Sequence, residues 1–285
     1  MSTDICELIE QKMPTFSKGQ KRIASAILSD YDKTAFMTAA KLGQMVGVSE
    51  STVVRFATEL GFAGYPEFQH AVQKLIRTRL TPIQRISITN ARIGEGDLLS
   101  KVMNGDMDKI RRTLETVDRE AFDHAVEHML RAKRVFILGV RSSFSLASFL
   151  NFNLSMIMDN VHLIQPNSTS EVFEQILDIG EDDVLFAISF PRYSTKIIKA
   201  VAYARANGAK IVCLTDSRHS PISENADCLL TAESDMVSFV DSLIAPLSII
   251  NAILAAITTR CPAEIQQRFE RLESIWDQYG VYAKR

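Results

Sequence analysis

The side chains best equipped for chemistry near the amino end are Ser49, Ser51, Thr52, Arg55 and Thr58, with Lys41 a few residues earlier. All lie in the run Ala39-Ala40-Lys41-Leu42-Gly43-Gln44-Met45-Val46-Gly47-Val48-Ser49-Glu50-Ser51-Thr52-Val53-Val54-Arg55-Phe56. Hydroxyls can bond phosphates or base edges, and arginine can pair bidentately with a guanine edge. A helix N-terminus favours a phosphate. The chemistry this set suits is the reading of duplex DNA. On a helix over 50–60, Val53, Phe56, Ala57 and Leu60 share the buried stripe, which leaves Ser51, Thr52, Arg55 and Thr58 outward. Ser49 is the expected N-cap, accepting from the backbone N–H of Ser51 or Thr52. Gly47 can take the positive φ of the turn, Ala40 supplies the small residue where two helices cross, and Val48 plugs the space between them. Lys41 could contact the DNA backbone, and so could Lys18, Lys21 and Arg22 upstream. An ordinary helical hairpin with a glycine turn fits the same pattern.

A second set of small hydroxyl residues lies in two later loops. Gly139-Val140-Arg141-Ser142-Ser143 and Ser189-Phe190-Pro191-Arg192-Tyr193-Ser194-Thr195 each join an apolar run to a helical one. Backbone N–H groups and hydroxyls at a helix N-terminus suit an anion, and an arginine can clamp a phosphate or carboxylate. Taken singly, Ser142, Ser143, Ser194 and Thr195 also read as plain helix caps. Two such loops on adjacent strands, each with an arginine, point to a ligand pocket, with Thr215-Asp216-Ser217 as a weaker third wall. Aldose–ketose chemistry would need a base beside the substrate carbon. Glu171 and Glu233 are unsupported candidates for it, and His219 reads as a surface histidine. No His, Cys or carboxylate cluster has metal-ligand spacing and no glycine-rich nucleotide fingerprint appears, so no catalytic residue, metal or cofactor is expected.

The elements that must hold these residues fall into two groups. Residues 1–77 read as short helices, with Ser17 as an N-cap, a helix over Thr38–Val46, a helix over Glu50–Leu60 closed by Gly61, and another begun by Pro66. A polar stretch at 78–96, with Thr81-Pro82 and Gly94-Glu95-Gly96, reads as a linker. From Asp97 a long amphipathic helix carries Leu99, Val102, Met103, Met107, Ile110 and Leu114, and Ala121–Leu130 follows as another helix. Apolar strands are predicted at Val135–Leu138, Val161–Ile164, Val184–Ile188, Ile211–Leu214 and Cys228–Leu230. Helices are predicted at Phe144–Met158, Ser170–Leu177 and Thr195–Ala206, with a short turn near Ser220–Asn225. Strands this apolar with helical crossovers predict a doubly wound, five-stranded parallel sheet of flavodoxin-like order, buried on both faces. Two further helices, Val237–Thr259 and Ala263–Tyr279, close the chain. The first is so apolar that a subunit interface is expected there.

Composition narrows the class. The chain has 285 residues, 46% hydrophobic and 23% charged, with a formal net charge of −2, which argues against a general polyanion-coating protein. Residues 1–80 carry a net +2 and the remainder −4. Cys6, Cys213, Cys228 and Cys261 form no CxxC pair, the start lacks a signal-peptide pattern, and polar residues interrupt the most apolar stretch. A cytoplasmic protein without a membrane span is therefore expected.

The stretch Val48 to Phe56, followed by Leu60-Gly61-Phe62-Ala63-Gly64-Tyr65-Pro66-Glu67-Phe68, resembles the signature of the RpiR/MurR-type bacterial transcriptional regulators. Thr215-Asp216-Ser217, Ser220-Pro221 and Ala226-Asp227 are similar to that family's fourth-to-fifth strand region. The resemblance implies a helix-turn-helix domain at 1–77, a linker at 78–96, and a sugar-isomerase-like (SIS) domain at 97–285 for sensing and oligomerisation. It also implies that a metabolite, usually a phosphorylated sugar, controls operator affinity. The family's usual first loop, G-x-G-x-S, is matched by Gly139 and Ser143, with Arg141 in place of the second glycine. The usual S-x-S-G-x-T is matched by Ser189 and Ser194, with Pro191 and Arg192 in place of the middle Ser-Gly. The expectation is a repressor of a carbohydrate catabolism operon, acting as a homodimer or tetramer on double-stranded operator DNA. Its effector would be a small anionic metabolite, a phosphosugar or a sugar acid. The alternative reading is a sugar-phosphate isomerase with an accessory helical domain.

Overall fold

Three of the N-terminal helices start where a hydroxyl occupies an orphan backbone N–H. In the computed structural model, which describes residues 5–77, 81, 83–86, 89, 96–236 and 238–282, α1 (Ile5–Lys12) precedes α2 (Lys18–Ser29). Ser17 caps α2 in a capping box with Gln20. After the short α3 (Tyr31–Thr34), Thr38 caps α4 (Ala39–Val46) and Ser49 caps α5 (Glu50–Glu59). The end of α5 is a Schellman motif, in which Phe62 N–H donates to the Ala57 carbonyl and Gly61 N–H to that of Thr58. α6 (Tyr65–Arg77) follows with Pro66 in its first turn. Phe16, Phe56, Phe68 and Tyr65 pack ring to ring in the core. The Tyr65 hydroxyl donates to the Met37 carbonyl at 2.8 Å, and burial pushes its pKa up to about 12.

The chain divides into two compact units, residues 1–94 and 95–285. Most of the expected linker at 78–96 lies outside the described residues. The second unit opens with α7 (Leu98–Thr116), capped by Asp97, and α8 (Arg119–Arg131), capped by Asp118. Alternating elements follow: β1 (Arg134–Gly139), α9 (Ser142–Ile157), β2 (Val161–Leu163), α10 (Thr169–Gln175), β3 (Asp183–Ile188), α11 (Thr195–Ala206), β4 (Lys210–Thr215) and β5 (Cys228–Thr231). α12 (Ile244–Arg260) and α13 (Pro262–Tyr279) end the unit.

The five strands are all parallel, in the order β2-β1-β3-β4-β5. Alternate residues of each strand serve opposite faces. Val135, Ile137, Val184 and Phe186 pack beneath α8, α9 and α12, whereas Phe136, Leu138, Leu185 and Ala187 pack beneath α10 and α11. Cys213 and Cys228 are buried free thiols whose pKa values burial pushes up to about 12 and about 11. β1 and β3 are locked at their start. There Arg134 and Asp183 are register partners, and Nε and an Nη of Arg134 donate to the Asp183 carboxylate at 2.9 and 2.6 Å. Burial would raise the Asp183 pKa, but the Arg134 hydrogen bonds and the Gly180 N–H outweigh it and hold the carboxyl below 3.8.

Three expectations need correction. The apolar helix expected over Val237–Thr259 begins only at Ile244, because a bridge between Met236 and Asp241 turns the chain first. One side of it is buried, with Ile249, Ile250, Ile253 and Ile257 packed against the sheet. The amphipathic reading of α7 also inverts: Lys109 and Thr113 are its buried residues, while Leu99, Met103, Met107 and Leu114 are more than half exposed. The cause is polar: Thr113 accepts from the Glu233 N–H, and Ser242 donates to Asp106, which also pairs with Lys109. Finally, the small residue at the crossing of α4 and α5 is Gly43. A Cβ there would stand 2.8 Å from the Val48 carbonyl, whereas Ala40 is exposed.

Candidate functional site

At the start of α5, the Ser49 hydroxyl accepts from the Thr52 N–H at 3.3 Å and lies 2.9 Å from the hydroxyls of both Ser51 and Thr52. Ser49, Ser51, Arg55, Thr58 and Lys41 are exposed, and Thr52 is half-buried. Val53, Phe56, Ala57 and Leu60 are buried. Arg55 Nε donates to the Ser51 carbonyl at 3.4 Å, a long bond that holds the side chain along its own helix. The Thr58 hydroxyl donates to the Arg55 carbonyl at 2.9 Å. Gly47 has φ 69, as the turn requires, and the Arg22 guanidinium lies over it. Val48 is half-buried; it and Thr52 contact the start of α2 at Gly19, where Lys18, Lys21 and Arg22 are exposed. The geometry is two crossed short helices with a hydroxyl-and-arginine face, sized for the major groove.

The two later loops leave the carboxyl ends of β1 and β3. These strands are neighbours, and Gly139 is the register partner of Ile188. The strand order reverses at this pair, so the crevice between the loops is the topological switch point where open α/β sheets bind ligands. Gly139 is held by a close approach: a Cβ there would stand 2.4 Å from the Ser143 carbonyl oxygen. Ser143 and Ser189 are 4% and 3% exposed, while Ser142 and Thr195 are exposed and Ser194 half-buried. The Tyr193 hydroxyl donates to Asp216 at 2.8 Å, and Thr215 donates to the same oxygen at 3.3 Å. This ties the β3 loop to the end of β4, where the third wall was expected.

Neither loop uses its hydroxyls to cap its helix. Arg141 and Ser194 occupy the N-cap positions of α9 and α11, and neither side chain makes a cap hydrogen bond. Arg141 has φ 58 and ψ −125, and Arg192 has φ 68. Among the described residues only Asn160 shares such a positive φ outside glycine, and asparagine tolerates it. Two arginines held where glycine is easier cost on the order of 1–3 kcal/mol each, a strain that clusters at ligand sites. Sequence spacing alone did not reveal this strain. The signal was present, because both arginines replace glycines of the resembled pattern.

The other candidates scatter. His219 is exposed, Glu171 sits half-buried in the first turn of α10, and Glu233 is half-buried beside α7. An apolar cavity of about 390 Å³ lies elsewhere, between α7, α8 and α12 and lined by Ile110, Leu114, Phe122 and Ile249 among others. Its lining does not suit an anion. No single helix among the described residues is long and apolar enough to cross a membrane.

A helix-turn-helix head joined to a doubly wound sensor-type sheet defines a DNA-binding transcriptional regulator. Residues 3–78 match the helix-turn-helix domain of the rpiR family and residues 128–256 match the SIS domain, so the chain belongs to the RpiR-type regulators. It is 24% identical to the HTH-type transcriptional regulator HexR of Escherichia coli, over 95% of this chain and 93% of that protein. It is 26% identical to an HTH-type transcriptional regulator of Clostridium perfringens, over 81% of this chain and 82% of that protein. The sugar isomerase domain of the Sphaerobacter thermophilus RpiR transcription factor superposes with a TM-score of 0.60 at 25% identity, covering 62% of this chain and 99% of that one. The Vibrio vulnificus NanR protein, complexed with ManNAc-6P, has the same fold at a TM-score of 0.61 and 20% identity, covering 98% of this chain and 100% of that one. These relatives place the chain among transcriptional regulators rather than isomerases.

Proposed function

We propose that this protein is a cytoplasmic repressor of a carbohydrate catabolism operon whose operator affinity is set by a small anionic metabolite. In this reading residues 1–77 hold α5 in the major groove. Ser51, Thr52, Arg55 and Thr58 face base edges and phosphates, Ser49 holds the helix start, and Lys41 contacts the backbone. Residues 97–285 sense the metabolite, and 78–96 connect the two. The ligand lies between Gly139, Arg141, Ser142 and Ser143 on one side and Ser189, Arg192, Tyr193, Ser194 and Thr195 on the other. The observation that carries the reading is the pair of arginines held at positive φ on the two loops of the switch point. The phosphorylated sugar bound by NanR makes phosphosugars the first class to test, with sugar acids beside them.

A homodimer or tetramer would place two heads on a pseudo-palindromic site. α7 exposes Leu98, Leu99, Met103, Met107 and Leu114, and α9 exposes Phe152 while α12 exposes Ile244, so apolar surface for that contact lies on several helices of this unit. Ligand acts by preferring one arrangement of the heads, since only differential affinity shifts such a balance. The test is a melting-temperature screen of phosphosugars and sugar acids on the full chain, repeated on Arg141→Ala/Arg192→Ala. A compound that stabilises the wild type and not the double variant supports the site. Equal stabilisation of both moves the pocket elsewhere.

A further inference from the structure

We propose that α5 reads a thymine methyl through an apolar notch made by Val54 and the Thr58 methyl group, next to the base that Arg55 reaches. This rests on the reading of α5 as the helix in the major groove and names a base that the helix selects.

Helical spacing gathers Ser51, Val54, Arg55 and Thr58 on one side of α5, away from the buried Phe56 and Ala57. Val54 is 37% exposed, and no other large hydrophobic side chain of α5 is exposed. A β-branched residue is a poorer helix former than alanine, glutamate or lysine, and at an exposed position packing within the chain returns little of that loss. Isolated surface valines are common and need no explanation. Val54 is not isolated, because Thr58 stands one turn further along the same face. The Thr58 hydroxyl donates to the Arg55 carbonyl at 2.9 Å, so its polar end is turned onto its own helix. What Thr58 then offers beside Val54 is its Cγ2 methyl.

The polar groups around the notch are already engaged. The Ser51 hydroxyl bonds that of Ser49 at 2.9 Å, and Arg55 Nε donates to the Ser51 carbonyl. The long-reach donors left on this face are the terminal N–H groups of Arg55. In the major groove the bases present donors and acceptors, and thymine alone adds a methyl group at C5. Two branched side chains one turn apart give that methyl an apolar seat and give nothing to cytosine, which lacks it. Valine, serine and threonine are short, so the helix must approach the seated base closely, while arginine reaches beyond it. Neighbouring residues rise about 1.5 Å along a helix and base pairs are about 3.4 Å apart, which puts the thymine within about two base pairs of the base Arg55 reaches.

The test is fluorescence anisotropy of the full chain on the shortest promoter-region duplex it protects, with each thymine replaced in turn by deoxyuridine. That exchange removes the C5 methyl and keeps the base pairing. One thymine in each half-site should emerge whose replacement weakens wild-type binding about fourfold, the equivalent of about 0.8 kcal/mol for one buried carbon. At that position 5-methylcytosine should bind more tightly than cytosine by a similar factor. Val54→Ala should bind the thymine and deoxyuridine duplexes alike; alanine is the best helix former, and circular dichroism confirms the fold. Thr58→Ser keeps the hydroxyl and removes the methyl, and it should shrink the thymine preference. A thymine preference undiminished in Val54→Ala overturns the notch. So does a wild type indifferent to every replacement on a duplex whose binding Arg55→Ala weakens, and both results leave α5 in the groove. Affinity unchanged in both Arg55→Ala and Val54→Ala takes α5 out of the groove, and this inference with it.

Discussion

The helix proposed to face DNA and the two helices that begin at the crevice start with the same kind of residues, yet they begin differently. Before α5, Ser49 sits in ordinary extended geometry and its hydroxyl accepts from the Thr52 N–H. Before α9 and α11, serines are as plentiful, but the N-cap positions go to Arg141 in a strained backbone and to Ser194, whose side chain caps nothing. A capped helix start is finished within the chain. An uncapped one beside an arginine still has donors to give, which is what the proposed ligand site requires.

The comparison assumes that the strands hold the two loops in place, and removing their common anchor is the severest way to break it. Asp183→Asn leaves the Arg134 guanidinium without its carboxylate and should cost about 3–5 kcal/mol in denaturant unfolding. The pH dependence gives the sign. The Asp183 carboxyl is held below 3.8, so its contribution is full at neutral pH and fades as the pH falls through that region. The gap between wild type and variant should therefore narrow below about pH 4.

Next in size are two changes of about 1–3 kcal/mol. Gly139→Ala drives a Cβ into the Ser143 carbonyl and should lower the unfolding free energy of the second unit by that amount, read by denaturant titration. Arg55→Ala should weaken operator binding by about 1–3 kcal/mol and relax preference at one base position, read by fluorescence anisotropy on a mapped operator. Unchanged affinity would take Arg55 off the reading face.

The sharpest contrast lies in smaller numbers. Ser49→Ala removes a working cap and should cost about 1 kcal/mol in thermal melts. Ser194→Ala removes a hydroxyl that caps nothing, so its melting temperature should match the wild type. A Ser194→Ala loss as large as that of Ser49→Ala would show that α11 is capped after all, and the distinction between the two regions would fall.

Much of the architecture was readable from apolar pattern. Each strand was placed within about two residues, and the predicted bounds of α11, Thr195–Ala206, match the structure, because strands buried on both faces are continuous apolar runs. Other features depend on neighbours distant in sequence. α7 looked amphipathic, but Glu233, Ser242 and Asp106 draw its Lys109 and Thr113 edge inward. For α12, apolar composition predicts burial, but only the fold shows that Ile249, Ile250, Ile253 and Ile257 are the side turned to the sheet. Ala40 and Gly43 were both small enough for the crossing, and only the Val48 carbonyl decides between them. On α5 the outward set was legible because Val53, Phe56 and Ala57 fix its phase. In the loops, residue types suggested an anion, but the positive φ at Arg141 and Arg192 emerges only from three-dimensional structure.

The most direct test of the account is the affinity of the full chain for a duplex from its own promoter region. It should be measured with and without the compound that most raises the chain's melting temperature in a panel of phosphosugars and sugar acids. The account predicts at least a tenfold change in the wild type and none in Arg141→Gly/Arg192→Gly, with DNA binding of the unliganded variant intact. A wild-type affinity that is the same with and without that compound would contradict it.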